Sequence, residues 1–243
     1  MEPFTFENIG PLRLCITREH RFGTDAFLLA AFSRVRRGDR ACDLCSGCGI
    51  IPVLWLRNEP RPAVAYAVEL PEQAINQINL TIRENALENQ LVPIHKDLRE
   101  LVGEIPPASI DLVTCNPPYF RPGTGAPARS PHRLAARHEV SCDLPAIAEA
   151  AARLLRYGGR FCLCGRPQRL PDAMEALRDN RLEPKRLRLV QKHADTPPWL
   201  FLLEGRKGGK PSLRVEAPLL MENPGGGFTR EVLEIYGKED KPL

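Results

Sequence analysis

The sequence contains no apolar run approaching the roughly 18 residues that a membrane-spanning helix needs. It also lacks a basic, then apolar, leader, because Met1-Glu2-Pro3 places an acid where a secretory signal carries cations. With 43% apolar and 26% charged residues, the composition is that of an ordinary globular protein. We therefore expect a cytoplasmic protein that makes no membrane contact.

A complete set of metal ligands is also missing. Cys42, Cys45 and Cys48 have the spacing C-x2-C-x2-C, which can ligate zinc or an iron–sulfur cluster. However, no fourth ligand follows at a matching spacing, and no histidine lies nearby. We expect no metal, and mostly buried, reduced thiols instead.

No charge of one sign dominates the chain, whose net charge is only +4. The stretch 153–214 is different, because its fifteen Lys/Arg against six Asp/Glu give +9 (15 − 6). The remainder is therefore −5 (4 − 9). Such a stretch is either a solvated basic face or a surface that binds a polyanion such as RNA.

Strands alternate with helices from Arg40 onward, which predicts an α/β fold with a mostly parallel sheet and helices on both faces. The predicted strands are Arg40–Cys45, Ala63–Leu70, Val92–Asp97, Ile110–Cys115, Arg160–Cys164, Arg186–Val190 and Trp199–Leu203. Four helices are predicted in this core. One follows residue 49, one begins at Pro71, and the other two cover Asp143–Tyr157 and Pro171–Asn180. Before this core, residues 1–20 predict a β extension and Thr24 an N-cap for a helix over Asp25–Val35. After it, we expect a hairpin and a short helix.

The first strand ends in Asp43-Leu-Cys-Ser-Gly47-Cys-Gly49. Small residues between a strand and a helix let backbone N–H groups approach a ligand closely. The loop is not a dinucleotide fingerprint, because Gly-x-Gly-x-x-Gly is incomplete, and no Gly-Lys-Ser/Thr of a phosphate loop follows. The alternative is a tight turn without a ligand.

Two acids follow at the ends of the next predicted strands. Glu69 lies 20 residues after Gly49, at the position where an acid accepts hydrogen bonds from ribose hydroxyls. Asp97 could accept a hydrogen bond from an adenine amino group. The alternative for each is an exposed carboxylate at a strand end.

The fourth strand runs into Asn116-Pro117-Pro118-Tyr119. The prolines end the strand ladder and leave the Pro117 carbonyl as an acceptor. Asn116 adds a side-chain carbonyl, and Tyr119 adds a ring face. Two acceptors beside a stacking surface predict a site for a planar –NH2 group.

This series of motifs resembles the class I S-adenosylmethionine-dependent methyltransferases that act on amino groups, which share Asn/Asp-Pro-Pro-Tyr. Flanking features narrow the resemblance to the bacterial family that methylates the 6-amino group of an anticodon-loop adenine in valine tRNA. These features are Phe22-Gly23-Thr24-Asp25-Ala26, Ala136-Arg137-His138-Glu139, the segment 198–207, Pro218 and Phe228-Thr229. One departure is Cys45, which stands where the family loop usually has its first glycine.

The resemblance implies a Rossmann-like fold with a seven-stranded sheet, S-adenosylmethionine as cofactor and an RNA substrate, most simply tRNA. It implies three parts: an N-terminal extension and capping helix (1–38), a methyltransferase domain (39–207), and a C-terminal extension packed on that domain (208–243). The expected catalytic residues are Asn116, Pro117 and Tyr119. The expected cofactor-binding residues are Thr24, Asp25, Asp43, Cys45, Gly47, Gly49, Glu69, Leu70, Asp97, Leu98 and Asn116.

Two other functions stay open. A protein glutamine methyltransferase would share the chemistry, but such enzymes usually carry a helical substrate-binding domain for which this chain has no room. A non-catalytic RNA-binding module would not need an intact Asn-Pro-Pro-Tyr. Four arginines of segment 120–140 suit a loop near phosphates, and we expect Arg137-His138-Glu139 to position or support rather than to exchange protons.

Overall fold

The computed structural model describes residues 4–18, 21–117 and 143–238. Its centre is a nine-stranded sheet in the order β10-β8-β9-β7-β6-β3-β4-β5, with β11 also paired to β8. The first five core strands are β3 (Arg40–Leu44), β4 (Val64–Glu69), β5 (Leu91–His95), β6 (Ile110–Cys115) and β7 (Leu155–Gly165). The others are β8 (Leu182–Gln191), β9 (Leu200–Lys207), β10 (Arg214–Val215) and β11 (Leu219–Leu220). Seven long strands plus two of two residues confirm the expected Rossmann-like sheet.

Strands β3 to β7 are parallel, and β9 runs antiparallel to β7 and β8. The carboxyl ends of β3, β4, β5, β6 and β7 therefore meet at one edge. The described helices are α1 (Thr24–Ser33), α2 (Ile50–Leu56), α3 (Glu72–Asn85), α4 (Leu144–Leu154), α5 (Leu170–Asp179) and α6 (Arg230–Tyr236). A separate hairpin, β1 (Thr5–Ile9) with β2 (Leu12–Ile16), confirms the N-terminal β extension.

The core is divided into two clusters, because neighbouring residues of each strand point to opposite faces. One cluster joins Cys162 and Cys164 of β7 to α1, α2, α3 and α6. The other joins Leu163 of the same strand to α4 and α5. The sheet is therefore covered on both faces, as the sequence predicts. The division of the chain into 1–38, 39–207 and 208–243 stays a prediction.

The helix predicted over Asp143–Tyr157 ends earlier, at Leu154. Leu155 is already extended and pairs with Ile110, so the two glycines lie inside β7 instead of stopping a helix. Gly158 has φ +76°, and a Cβ on Gly159 would lie 2.9 Å from the Arg156 carbonyl oxygen. They form an irregularity at which the β6–β7 register shifts.

Two smaller predictions at the chain's two ends are also wrong. The N-cap of α1 is Gly23, and Thr24 is the first helical residue. The sequence predicts a C-terminal hairpin, but within the described residues β10 and β11 do not pair with each other. Both pair in parallel with β8. A single antiparallel bridge joins Glu222 to Phe228, and the expected short helix is α6.

Candidate active site

The loop after β3 is held by Asp43, a residue that is only 1% exposed. Thr114 donates its hydroxyl to Oδ1 at 2.5 Å, and Ser46 donates its hydroxyl to Oδ2 at 2.7 Å. Burial raises the pKa of Asp43 to about 7, although the two hydroxyl donors act in the opposite direction and the nearby Glu69 raises it further. Both oxygens are engaged within the protein, so Asp43 braces the loop. Its direct contact with a ligand stays a prediction.

The backbone of the loop is left-handed at Cys45, Gly47 and Gly49, with φ of +55°, +57° and +83°. Glycine adopts this region without cost, whereas Cys45 adopts it with a side chain. A Cβ on Gly49 would lie 3.0 Å from Cγ1 of Ile78. Gly49 is thus required both by its φ and by close packing of α2 on α3, while Cys45 fits as a small residue.

Glu69 ties the loop to the end of β4. Its Oε2 accepts a hydrogen bond from the Gly47 N–H at 2.6 Å, and its Oε1 accepts one from the Leu70 N–H at 2.8 Å. The loop is further joined to β4 by the Ser46 N–H, which donates to the Val68 carbonyl at 3.1 Å. The carboxylate is therefore oriented at the sheet edge, beside the glycine loop, as the spacing predicts.

The next strand ends differently from the prediction. Strand β5 stops at His95, so Asp97 lies two residues beyond it and caps the short 3-10 turn Leu98–Glu100. Both carboxylate oxygens of Asp97 bond the Arg99 side chain, and this pairing lowers the pKa of Asp97. Leu98 is 5% exposed and belongs to the core, whereas Leu70 is 37% exposed beside Glu69. A ligand at Asp97 would have to share the carboxylate with Arg99.

Asn116 and Pro117 directly follow β6 at the same edge. The thiol of Cys164, at the end of β7, donates to Asn116 Oδ1 at 3.1 Å. The side-chain carbonyl expected to accept a target amine is thus aimed by a neighbouring strand. Tyr119 lies outside the described residues, as do Pro118 and the segment with Arg137-His138-Glu139.

The N-terminal end of α1 is bonded to the C-terminal helix. The Tyr236 hydroxyl donates to Thr24 Oγ1 at 3.0 Å, and Arg57 Nη2 donates to the Ile235 carbonyl at 2.6 Å. Asp25 Oδ1 accepts from the Ala26 N–H at 3.1 Å, within its own helix. The tail therefore holds the Thr24 side chain.

Three residues that no motif singled out contact the candidate site residues: Thr114, Cys164 and Tyr236. Thr114 had a readable signal, since it is a polar residue that interrupts the apolar run Leu112–Cys115 two positions before Asn116. Cys164 and Tyr236 gave none, because their partners are distant in the sequence.

The three cysteines with ligand-like spacing do not face one place. Cys42 lies in the cluster beneath α4 and α5, whereas Cys48 lies in the cluster beneath α1 to α3. Burial raises the pKa of both thiols, which disfavours the thiolate that metals bind. Within the described ranges, no group of three or more His, Cys, Asp or Glu is arranged to hold a metal ion. The absence of a metal stays a prediction.

The basic stretch 153–214 is not one open basic face. Arg160 and Arg186 are buried, and they donate to the Ser33 and Phe32 carbonyls at 2.6 Å, which fastens the end of α1 to the sheet. Among the described residues, eight of its cations pair with carboxylates: Arg156, Arg160, Arg169, Arg178, Arg186, Arg188, Lys192 and Arg214. The net charge of the stretch therefore overstates what it offers to a polyanion.

The family model of the methyltransferase small domain matches residues 20–180. The chain belongs to this family. The matched range begins just before α1 and ends after α5, so it contains the glycine loop, Glu69 and Asn116. The resemblance to methyltransferases that the motifs indicate is thereby confirmed.

Among curated proteins, the chain is similar to methyltransferases that are named for a tRNA substrate. A tRNA1(Val) (adenine(37)-N6)-methyltransferase of Enterobacter sp. (strain 638) is 32% identical over 146 residues, 59% of this chain and 57% of that protein. The enzyme of the same name from Parabacteroides distasonis is 27% identical over 186 residues, 76% of each chain. The chain thus spans little more than half the length of the first of these relatives.

Among solved structures, the fold is similar to a predicted O-methyltransferase, protein Atu636 from Agrobacterium tumefaciens. The TM-score is 0.71 with 21% identity, covering 88% of this chain and 95% of that one. This likeness supports the fold. No helix in the described part of the chain combines the length and apolar character required to cross a bilayer.

Proposed function

We propose that this protein transfers a methyl group from S-adenosylmethionine to the exocyclic 6-amino group of adenine in tRNA. The observation that carries the proposal is the meeting of two half-sites at one sheet edge. The glycine loop bonded to Glu69 lies after β3 and β4, and Asn116-Pro117 follows the adjacent strand β6. The names of the curated relatives support adenine in tRNA as the target.

The residues present fit the cofactor on two counts. At Gly47 a Cβ would meet nothing within 4 Å, so the loop has open space there for a ligand to approach its backbone. The Glu69 carboxylate is fixed by two N–H donors at the position expected for ribose hydroxyls. Thr24, Asp25, Cys45, Leu70, Asp97 and Leu98 remain proposed cofactor contacts, with Asp43 as the brace behind them.

The chemistry asked of the protein is modest. S-adenosylmethionine supplies a methyl group already activated by its sulfonium sulfur. An aromatic amine is a poor nucleophile, because its lone pair is delocalised into the ring. Oδ1 of Asn116 and the carbonyl of Pro117 would each accept a hydrogen bond from one N–H of the amine. This favours the pyramidal geometry that frees the lone pair. The site would then mainly align the amine nitrogen with the methyl group and the sulfur, so no nucleophilic side chain is needed. The nitrogen would give up one proton to water as it gains the methyl group.

Cys164 contributes to this arrangement through Asn116. A carbonyl oxygen offers two lone pairs, and the thiol takes one of them. The thiol therefore helps to orient the amide before substrate arrives. We propose that Tyr119 stacks on the target base, which has to leave its own stack to reach the site.

The proposal is tested by supplying methyl-labelled S-adenosylmethionine with tRNA, rRNA, DNA or protein extract in separate reactions. We expect N6-methyladenine in digested tRNA, formed roughly 100- to 1,000-fold more slowly by the Asn116→Ala variant. Label in glutamine would establish the protein methyltransferase alternative. Tight RNA binding with no label in any reaction would establish a non-catalytic RNA-binding module.

A further inference from the structure

Arg166 and Trp199 lie at the same sheet edge as Asn116. Arg166 directly follows β7, and Trp199 directly precedes β9. The two strands are antiparallel, with Gly165 opposite Phe201, so these two ends meet. The bond from Cys164 to Asn116 places the target side of the proposed active site at this end of β7.

The two side chains form one unit. Arg166 Nη1 donates to the Trp199 carbonyl at 3.2 Å, and its guanidinium carbon lies 6.0 Å from the centre of the indole. The Trp199 N–H donates to the Val190 carbonyl at 3.0 Å, which anchors the backbone to β8. The indole is half-buried against the core cluster of α1, and Arg166 is exposed. An aromatic plane and a cation are thus held together on a fixed backbone.

This pairing suits unstacked nucleotides. Proteins that bind single-stranded RNA stack its bases on aromatic rings and place arginine at its backbone. An adenine drawn out of its stack also exposes a face of the nucleotide beside it. The neighbouring Arg169 pairs with Asp172 at 3.1 Å, on the short turn that leads into α5.

We propose that Arg166 and Trp199 bind the nucleotide that flanks the target adenine, with the base stacked on Trp199 and its phosphate on Arg166. The inference rests on the proposed function, since it takes the target to be a base in RNA. The competing structural role is a clamp that merely joins the ends of β7 and β9. The two roles differ in whether a base in the RNA matters.

The experiment measures binding and methylation of an RNA stem-loop that carries the target adenine. Two further stem-loops lack the base, but keep the sugar and phosphate, on the 5′ or the 3′ side of the target. The variants are Trp199→Ala, Trp199→Phe and Arg166→Gln, with Arg169→Gln as the matched control. Binding is measured by titration independently of methylation, and the melting temperature reports on any clamp.

Trp199→Ala should weaken binding of the intact stem-loop about 5- to 150-fold. Trp199→Phe should keep most of the affinity, and kcat at saturating RNA should change little. One of the two abasic stem-loops, the one that lacks the base stacked on Trp199, should be bound equally well by the wild type and by Trp199→Ala. Arg166→Gln should weaken binding and reduce its salt dependence by about one phosphate contact, whereas Arg169→Gln should do neither.

Equal losses with the intact and both abasic stem-loops, or a lower melting temperature with unchanged RNA binding, would overturn the inference in favour of the clamp. If base-dependent binding is found but the wild-type protein never methylates adenine, the proposed function fails and the nucleotide contact stands.

Discussion

The two halves of the candidate site use different chemical groups: carboxyls in one, and an amide with a thiol in the other. On the cofactor side, Asp43 receives two hydroxyl donors and Glu69 receives two backbone N–H donors, so every oxygen of both carboxylates is engaged. On the target side, Asn116 is steadied by the thiol of Cys164, a weak donor. The first half uses two carboxyl groups, one buried and one half-buried, whereas the second uses the half-buried, neutral amide of Asn116.

The difference follows from what each half has to hold. A loop that presents its backbone to a nucleotide has to keep one conformation, and two carboxyl groups that each accept two hydrogen bonds impose it, at a desolvation cost for the buried Asp43. A target amine that changes shape during the reaction needs neutral acceptors instead. We therefore expect damage to the first half to appear in stability and cofactor affinity, and damage to the second to appear in rate.

The largest expected effect is a pH dependence of stability that arises from Asp43. Its folded pKa of about 7 lies above the usual value of 3.8, so the folded protein holds a proton that the unfolded chain releases. Its contribution is present in full below about pH 4 and is lost as pH rises to about 7. The shift corresponds to roughly 4 kcal/mol.

Urea unfolding of the wild type and Asp43→Asn between pH 4 and 8 measures this contribution. The stability of the wild type relative to the variant should fall as pH rises to about 7 and then level off. Thr114→Val removes a donor that lowers this pKa, so it should move the upper end of the window upward. A difference that does not change with pH would show that Asp43 is charged throughout.

Glu69→Ala should weaken S-adenosylmethionine binding by roughly 1.5–3 kcal/mol, as for a lost charged hydrogen bond. Glu69→Gln is not a conservative control, because its amide nitrogen would face the N–H of Gly47 or Leu70. Arg99→Gln removes the partner of the neighbouring Asp97 and leaves the Glu69 carboxylate unchanged, so it tests separately whether Asp97 affects cofactor affinity. Calorimetry that finds unchanged affinity for Glu69→Ala would remove Glu69 from the cofactor site.

The smallest expected effect belongs to Cys164. Cys164→Ala removes the donor to Asn116 and should lower kcat about fivefold, the worth of a neutral hydrogen bond of roughly 1 kcal/mol. Cys164→Ser supplies another donor and should restore most of the rate. Both variants should leave the KM for S-adenosylmethionine unchanged. If Ser is as slow as Ala, the thiol acts by packing and not by positioning.

The sequence predicts those parts of the fold that periodicity and turn chemistry determine. Strand β6 has the predicted bounds, and Glu69 ends β4 beside the glycine loop as its spacing indicates. Helix α4 is misjudged at its end, because only pairing with Ile110 shows that Leu155 is a strand residue. The two-residue strands β10 and β11 depend on backbone bonds to β8 that no side-chain pattern encodes.

Within the site, residue types could be predicted but partners could not. Asp97 has the right type and nearly the right place, yet Arg99 occupies both its oxygens. The basic stretch 153–214 fails as a uniform surface because acids far away in the sequence, such as Asp39 and Glu231, pair with its arginines. Such pairs form only when the chain is folded.

The most direct test is the single-turnover rate of Asn116→Ala on the RNA substrate at saturating S-adenosylmethionine, measured with the cofactor affinity of the same protein. Removing one preorganised acceptor of this kind costs roughly 100- to 1,000-fold in rate. We predict a loss in that range with near-normal cofactor affinity. Methylation at the wild-type rate, or a rate loss explained by weaker cofactor binding, would contradict the division of the site into a binding half and a reacting half.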